Sequence, residues 1–317
     1  MKYKFTIKLI IGVLFISIFW VKDVKAQFDP MYTQFMNNEM FINPAYAGSK
    51  DALALTLLHR QQWVKFAGRP ITTTFSINSP IYENKMGVGI AFLNEKIGVL
   101  NRNLLYASYA YRLRTGERSF LSFGLMAGIH MQVEKFADLD PNISGDPSFS
   151  TNTPVIVTPN FGFGTYFNTD KFYASFSIPR MLDDHITFNS NGTRNKGVTF
   201  NIKSWHYYIA VGRVFTIHDY LKLKPHIMMK VAVNAPIEFD VNLNALIREL
   251  IWVGFSYRSS NDLIFMAGVQ IRPSFLLGYS YDYQLSKIRN FSGGTHEITA
   301  SYYFGLKGKK IMSPRYF

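Results

Sequence analysis

Cysteine is absent from all 317 residues of the chain. This absence excludes a disulfide-stapled scaffold, a cysteine-ligated metal centre and a lipid anchor on a cysteine after a signal peptide. Charged residues are also scarce, at 17%, compared with roughly 25% in ordinary soluble domains. Beyond residue 26, no apolar run approaches the about 18 residues that indicate a membrane-spanning helix. Stability must therefore come from another architecture.

The first 26 residues have the pattern of a secretory signal peptide. Lys2, Lys4 and Lys8 precede an apolar run over residues 9–20, and the stretch ends in Val24-Lys25-Ala26, a small-residue cleavage pattern. An apolar core of about 12 residues is shorter than the about 20 that a helix needs to cross a bilayer. We therefore predict a signal peptide over residues 1–26, export, and a mature chain that begins at Gln27.

The mature chain is basic. Removing the five lysines and one aspartate of residues 1–26 lowers the formal net charge from +13 to +9. A basic exported protein is expected to contact anionic surfaces or acidic partners, and export argues against a nucleic-acid partner.

Apolar and polar residues alternate strictly in several stretches. In RSFLSFGLMAGIH, Phe123 and Leu125 fall on one face, whereas Ser122, Gly124 and Met126 fall on the other. The stretches LIWVGFSYR and HEITASYYF alternate in the same way. Lipid-facing and lumen-facing residues alternate in a transmembrane β-barrel, and such barrels carry aromatic girdles. With aromatic residues at 16% and 22 glycines, the sequence favours this class.

The same alternation predicts an all-β outer-membrane barrel of about 14 antiparallel strands. The predicted strands cover residues 51–60, 70–79, 86–95, 101–114, 118–134, 159–168, 171–179, 202–216, 220–234, 236–246, 249–258, 262–272, 274–286 and 294–306. The longest connections are expected at one end of the barrel, since bacterial barrels have short periplasmic turns and longer extracellular loops. A soluble β-sandwich also alternates, but its solvent face would be far richer in Lys and Glu.

Catalytic signatures are missing from the sequence. It contains no GxSxG, HExxH, Walker loop or GxGxxG motif. Asp183-Asp184-His185 and the acidic turn cluster at 138–148 are weak candidates for a divalent cation, and solvated loops are the simpler interpretation of both. We expect no enzyme activity, no cofactor and no metal site.

Segments outside the strands are expected at both ends of the mature chain. Residues 27–50 have neither helical nor strand periodicity, and Pro30 and Pro44 would interrupt either element. We predict a periplasmic or plug segment over 27–50, a barrel over 51–306 and a basic tail over 307–317. The tail is either solvated or docks on a periplasmic partner, because arginine and aromatic residues such as those at its end are enriched at interfaces.

Four stretches together resemble the PorP/SprF family of type IX secretion system membrane proteins. They are DPMYTQFMNNEMFINPAYAGS, HRQQWVKFAGRPITTTFSINSPI, SGGTHEITASYYF and the terminal PRYF. The resemblance spans essentially the whole mature chain. Its most specific parts are Asn-Pro-Ala-Tyr-Ala-Gly at 43–48, Gln62-Trp63 and Gly68-Arg69-Pro70.

The resemblance implies a multi-pass outer-membrane β-barrel of Bacteroidota that serves type IX secretion and, in some members, gliding motility. It implies contacts with outer-membrane lipid, with a secreted adhesin-like cargo protein and with periplasmic secretion-system subunits. The partner-binding candidates are Tyr32, Asn43, Pro44, Ala45, Tyr46, Gly48, Trp63, Arg315, Tyr316 and Phe317. Two alternatives remain: a small-molecule uptake channel, which needs an open polar lumen, and a barrel hydrolase, for which no nucleophile and base pair is visible.

Overall fold

Antiparallel β-strands dominate the protein. The computed structural model describes residues 32–138, 151–188, 194–233, 235–272 and 274–305. The strands there are β1 (Leu53–Gln61), β2 (Ile71–Ile81), β3 (Met86–Ile97), β4 (Leu100–Arg114), β5 (Phe120–Glu134), β6 (Ile156–Asn168), β7 (Phe172–Ile178), β8 (Leu182–Phe188), β9 (Arg194–Phe200), β10 (His206–Arg213), β11 (Phe215–His218), β12 (Leu221–Ala232), β13 (Glu238–Ile247), β14 (Ile251–Arg258), β15 (Asp262–Arg272), β16 (Phe275–Gln284) and β17 (Thr295–Phe304).

Short 3-10 helices account for the helical residues in these ranges. They are Phe35–Asn37, Glu39–Phe41, Pro44–Tyr46, Phe136–Asp138, Ile202–Ser204 and Lys287–Asn290. None of the helices in the described part of the chain has the length and hydropathy of a membrane span.

The strands close into a barrel of 14 strand positions. β1 to β7 pair in chain order, β12 to β17 do the same, and β1 pairs with β17. β10 pairs with β7 on one side and β12 on the other, which completes the ring. β11 continues β10 beyond Val214 and also pairs with β12, so the two occupy one position. The predicted closed antiparallel barrel is confirmed.

The two ends of the barrel differ in their connections. At the short-turn end, the segments 82–85, 115–119, 169–171, 219–220, 248–250 and 273–274 join successive strands. At the long-loop end lie the longest connections, 62–70, 135–155, 179–205 and 285–294. Short turns face the periplasm in bacterial outer-membrane barrels and longer loops face outward. The amino-terminal segment joins β1 at the short-turn end.

The expectation of a plain loop over residues 180–201 is wrong. β8 and β9 pair there as a separate antiparallel hairpin, with Leu182 opposite Phe200 and Phe188 opposite Arg194. Asp183-Asp184-His185 therefore lies on a strand. Asp, Asn and Gly are depleted in strands, so their presence in this stretch hid the hairpin from the sequence pattern. Most of the acidic cluster at 138–148 lies outside the described residues.

Side-chain exposure follows the predicted alternation. On β5, Phe123 is 43% exposed and Leu125 is 62% exposed, whereas Ser122 and Met126 are buried. Outward-facing Leu, Ile, Val, Phe and Tyr side chains recur on the other barrel strands. An apolar outer surface of this kind is what a barrel presents to lipid.

Leu125→Arg is expected to destabilise the protein by about 2–4 kcal/mol if the residue lies near the bilayer midplane, because the guanidinium would enter hydrocarbon. Urea unfolding in bilayers, monitored as loss of the heat-modifiable band, measures the change in the free energy of unfolding. Glu117→Arg in the exposed turn 115–119 is the matched control. Equal unfolding midpoints for the two variants would contradict the outward assignment of Leu125.

Candidate functional site

Residues 32–50 lie inside the barrel and are called the plug below. All of them are buried except Asn37 and Lys50, which are partly exposed. Tyr32 contacts Arg258 at the long-loop end of β14, while Lys50 lies next to Tyr303 at the short-turn end of β17. The plug thus crosses the lumen from one end to the other before the chain enters β1.

Five charged side chains anchor the outer end of the plug. We call them the ionic latch: Arg60, Asp240, Arg258, Asp282 and Glu297. All five project inward near the long-loop end, and each is at most 3% exposed. The Arg60 guanidinium lies 2.7 Å from Asp282 and 3.1 Å from Glu297. Arg258 lies 2.8 Å from Asp240 and 3.5 Å from Asp282.

The ionic latch binds the plug through backbone and side-chain groups. Glu297 accepts hydrogen bonds from the backbone N–H groups of Thr33 at 2.9 Å and Gln34 at 2.7 Å. The Thr33 hydroxyl donates to Asp282, and Arg60 donates to the same hydroxyl at 2.8 Å. Arg258 donates to the backbone carbonyl of Tyr32 at 3.2 Å. Hydrogen bonds to charged groups are stronger than neutral ones, so the outer end of the plug is firmly held.

The element at 43–48 folds for local reasons. The Asn43 side-chain oxygen accepts a hydrogen bond from the Ala45 N–H at 2.9 Å and caps a 3-10 helix, while Pro44 occupies its first position. Asparagine at the cap and proline at the first helical position are both favoured. Gly48 then takes a φ of +73°, and a β-carbon there would lie 2.9 Å from the Cα atoms of Pro80 and Gly87. Glycine is therefore required at this bend.

The same element is hydrogen-bonded to the barrel wall on two sides. The Asn43 amide donates to the Thr165 carbonyl at 2.8 Å and to the Ser175 hydroxyl at 2.9 Å. On the other side, Gly48 N–H donates to Asn78 at 3.1 Å, and Arg112 donates to the Gly48 carbonyl at 2.6 Å. The plug is therefore fixed to strands from different sectors of the wall.

Inward-facing glycines of the wall make room for the plug. A β-carbon on Gly124 would overlap the backbone of Ala45, one on Gly164 would overlap the Asn43 side chain, and one on Gly87 would overlap the Ala47 carbonyl. From alternation alone, Gly124→Ser is expected to be mild because it faces the lumen. That expectation is wrong, since the lumen at Gly124 is filled by plug backbone that cannot move aside cheaply.

The sequence-derived candidates fall into three places. Tyr32, Asn43, Pro44, Ala45, Tyr46 and Gly48 belong to the buried plug, where the Tyr46 ring packs edge-on against Tyr166 at 5.5 Å. Trp63 lies apart from them in the 62–70 loop, half-buried, with its ring 6.4 Å from that of the exposed Phe66. Arg315, Tyr316 and Phe317 lie outside the described residues.

The ionic latch was missed by sequence reasoning, although one signal was present. Arg258 and Glu297 stand on the polar faces of the alternating stretches LIWVGFSYR and HEITASYYF. A charge on a lumen-facing position of an otherwise uncharged strand needs a partner, because an isolated buried charge is costly. Which partner it meets depends on strand order and register, and alternation specifies neither.

Among the side chains that the structure describes, no three His, Asp or Glu residues lie close enough together to hold a metal ion. The geometry instead indicates a barrel whose lumen is occupied by its own amino-terminal segment.

Solved structures share the barrel fold at very low sequence identity. The CymD monoaromatic hydrocarbon channel matches with a TM-score of 0.51 and 8% identity, over 85% of this chain and 93% of that chain. The Ralstonia pickettii toluene transporter TbuX matches with a TM-score of 0.48 and 9% identity, over 84% of this chain and 94% of that one. The Acinetobacter baumannii outer membrane protein Omp33 matches with a TM-score of 0.45 and 7% identity, over 80% of this chain and 100% of that one. At 8% identity, the likeness to CymD shows the fold alone.

None of the curated proteins compared with this chain matches it. A family model described as "Type IX secretion system membrane protein PorP/SprF" matches residues 24–302. Together with the closed barrel and its lipid-facing outer surface, this match assigns the protein to the outer membrane. The chain belongs to the PorP/SprF family of type IX secretion system membrane proteins.

Proposed function

We propose that this barrel is a non-enzymatic component of the type IX secretion system that assists the secretion or surface attachment of an adhesin-like cargo protein and contacts periplasmic subunits of the machinery. Family membership supports the link to secretion. The observation that carries the rest is the occupied lumen, because a barrel filled by its own chain is suited to holding partners rather than to conducting solutes.

The plug separates two open cavities. One at the long-loop side is lined by Tyr32, Phe41 and Ile42 of the plug together with wall residues. Another at the short-turn side is lined by Met36, Asn37 and Lys50 of the plug together with other wall residues. Buried plug residues lie between them, which argues against the uptake channel as the main function.

The position of the plug also limits how partners can bind. The residues at 43–48 are enclosed by the wall, so a partner reaches them only if the plug leaves the lumen. With the plug in place, the available surfaces are the long loops, including the 62–70 loop with Trp63 and Phe66, and the short turns. We assign cargo contact to the long-loop side and machinery contact to the short-turn side.

Replacing residues 43–46 with Gly-Ser repeats tests the role of the plug. The variant should remain inserted and heat-modifiable, conduct ions in planar bilayers, and lower the surface display of cargo in cells. A matched control replaces residues 116–118 of the exposed turn with Gly-Ser repeats. This control should leave insertion, ion conductance and cargo display as they are in the unmodified protein.

The outcomes separate the alternatives. Unchanged cargo display with an intact but conducting barrel would refute a secretion role for the plug. Loss of the barrel itself would show that the segment acts in stability alone. A large stable conductance of the unmodified protein would instead favour the uptake channel.

A further inference from the structure

A row of polar side chains crosses the outer face of β1 to β4. Its four members are partly exposed, and each is the direct cross-strand neighbour of the next: His59, Thr73, Asn94 and Asn103. The preceding outward position on each of these strands, toward the short-turn end, holds an exposed apolar side chain: Leu57, Phe75, Phe92 and Leu105. We call the two sets the polar row and the apolar row. The lipid-facing apolar surface of β1 to β4 thus ends where the polar row begins.

Hydrogen bonds orient the amides of the polar row. Asn94 donates to the side-chain oxygen of Asn103 at 2.8 Å and to that of Asn101, the next outward residue of β4, at 3.1 Å. Within the part of the chain that the structure describes, no group accepts a hydrogen bond from the amide nitrogens of Asn101 and Asn103. Both side chains are partly exposed. The outer face of β4 therefore offers two amide donors to a ligand.

Lys96 lies beside these amides. It is the direct cross-strand neighbour of Asn101, its side chain is exposed, and it forms no ion pair with a described residue. On the outward faces of β1 to β5, all of which the structure describes, Lys96 is the single Lys or Arg, and Asp and Glu are absent. The adjacent Glu95 is buried and pairs with Arg102. An ammonium group and two amide donors without a carboxylate suit a phosphate group, because charged donors form strong hydrogen bonds to phosphate.

The other end of the polar row offers neutral hydrogen-bonding groups. The His59 ring is hydrogen-bonded to the Thr73 hydroxyl at 2.9 Å and to the Gln61 amide at 3.1 Å. Hydroxyl, amide and imidazole groups both donate and accept hydrogen bonds, so they suit the hydroxyl groups of a sugar. At about 4.8 Å between neighbouring strands, the row from β1 to β4 is roughly 14 Å long. A phosphate group alone would occupy one end of it, whereas a phosphorylated sugar headgroup matches its length.

We propose that the polar row, with Gln61, Lys96 and Asn101, binds the headgroup of a phosphorylated glycolipid in the outer leaflet of the membrane. Lys96 and the amides of Asn101 and Asn103 hold the phosphate, and the groups around His59 contact the sugar hydroxyls. The acyl chains lie over the apolar row. A lipid is the occupant because the polar row continues the lipid-facing surface at the long-loop end, and basic groups at a membrane surface attract anionic lipids. The site does not depend on the proposed role in secretion.

Native mass spectrometry of the purified full-length protein in detergent, with added monophosphorylated lipid A, tests the proposal. We expect saturable binding of the glycolipid. Lys96→Gln should weaken it by about tenfold, because this variant loses the charged donor to the phosphate, and Asn103→Leu should weaken it by about threefold, because it loses a neutral donor. Lys203→Gln is the matched control. It removes an exposed lysine of the long-loop end that lies outside the row, and it should change the affinity by less than about twofold. Heat-modifiability of each variant checks that the barrel is folded.

Three further ligands identify what the site recognises. Dephosphorylated lipid A should bind about tenfold more weakly than lipid A, because it lacks the partner of Lys96. Phosphatidylglycerol, which carries a phosphate but no sugar, should also bind more weakly. Inorganic phosphate should not displace lipid A.

Four results would overturn the proposal. They are the absence of saturable lipid A binding, equal affinity of Lys96→Gln and the unmodified protein for lipid A, equal affinity of the unmodified protein for lipid A and phosphatidylglycerol, and displacement of lipid A by inorganic phosphate. The third result would mean that the row binds anionic lipids without distinction, and the fourth would mean that it binds free phosphate.

Discussion

Arg60→Ala is expected to lower the free energy of unfolding by about 3–5 kcal/mol, the cost of removing one member of a buried ion pair. The Arg60 guanidinium bridges Asp282 and Glu297 and also donates to Thr33. Without Arg60, the buried carboxylates of Asp282 and Glu297 would have less positive charge nearby to offset their negative charges. The outer end of the plug would lose its hold as well, because those carboxylates bind Thr33 and Gln34.

Urea unfolding of the purified barrel in bilayers measures this effect. Arg118→Ala is the matched control, since Arg118 also forms an arginine–aspartate pair, at 2.9 Å from Asp170, but is 70% exposed. Exposed pairs contribute only about 0–1 kcal/mol. If the two variants unfolded at the same urea concentration, the ionic latch would contribute no more than a surface pair.

Gly124→Val is expected to expel residues 43–46 from their place against the wall. The added side chain would occupy the position of the Ala45 backbone. Overpacking of a well-packed interior costs typically about 1–3 kcal/mol when side chains adjust, and here main chain must move. The expected results are a lower unfolding midpoint and the appearance of ion conductance.

Gly254→Val provides the comparison for this experiment. Gly254 also faces inward, but its β-carbon would meet the ends of the Asn244 and Met266 side chains, which can rotate away. This variant should unfold at nearly the same urea concentration as the unmodified protein, and its barrel should not conduct ions. Conductance that appeared equally in both variants would mean that the plug is not held by contact with Gly124.

The barrel was largely predictable from the sequence, and its interior was not. Alternation placed all fourteen barrel strands and the outward direction of Leu125, because side-chain direction in a strand is a local property with period 2. The contents of the lumen depend on contacts between residues far apart, such as Asn43 with Thr165. No local pattern encodes them, so alternation alone underestimates the cost of a substitution at Gly124.

Two further features escaped prediction for different physical reasons. The β8–β9 hairpin was overlooked because Asp183, Asp184 and Gly197 are residue types that disfavour strands. Backbone pairing between β8 and β9 nevertheless holds these three residues in strands. The ionic latch was overlooked because Arg60 and Asp282 meet only once strand order is known. The sequence left residues 27–50 open between a periplasmic segment and a plug, and resemblance to the family marked residues 43–48 without deciding between the two.

The position of the ionic latch bears on the order in which the protein assembles. Arg60 on β1 is the direct cross-strand neighbour of Glu297 on β17, so the two residues flank the seam where the first and last strands meet. An open sheet would keep them on opposite edges, so the carboxylates of Asp282 and Glu297 that bind Thr33 and Gln34 would lack the Arg60 guanidinium that compensates their charge. Contacts this distant in sequence form late, because the chain must first close a large loop. Docking of the outer end of the plug therefore follows seam closure, and a protease-resistant amino-terminal segment would report that a newly made barrel has finished folding.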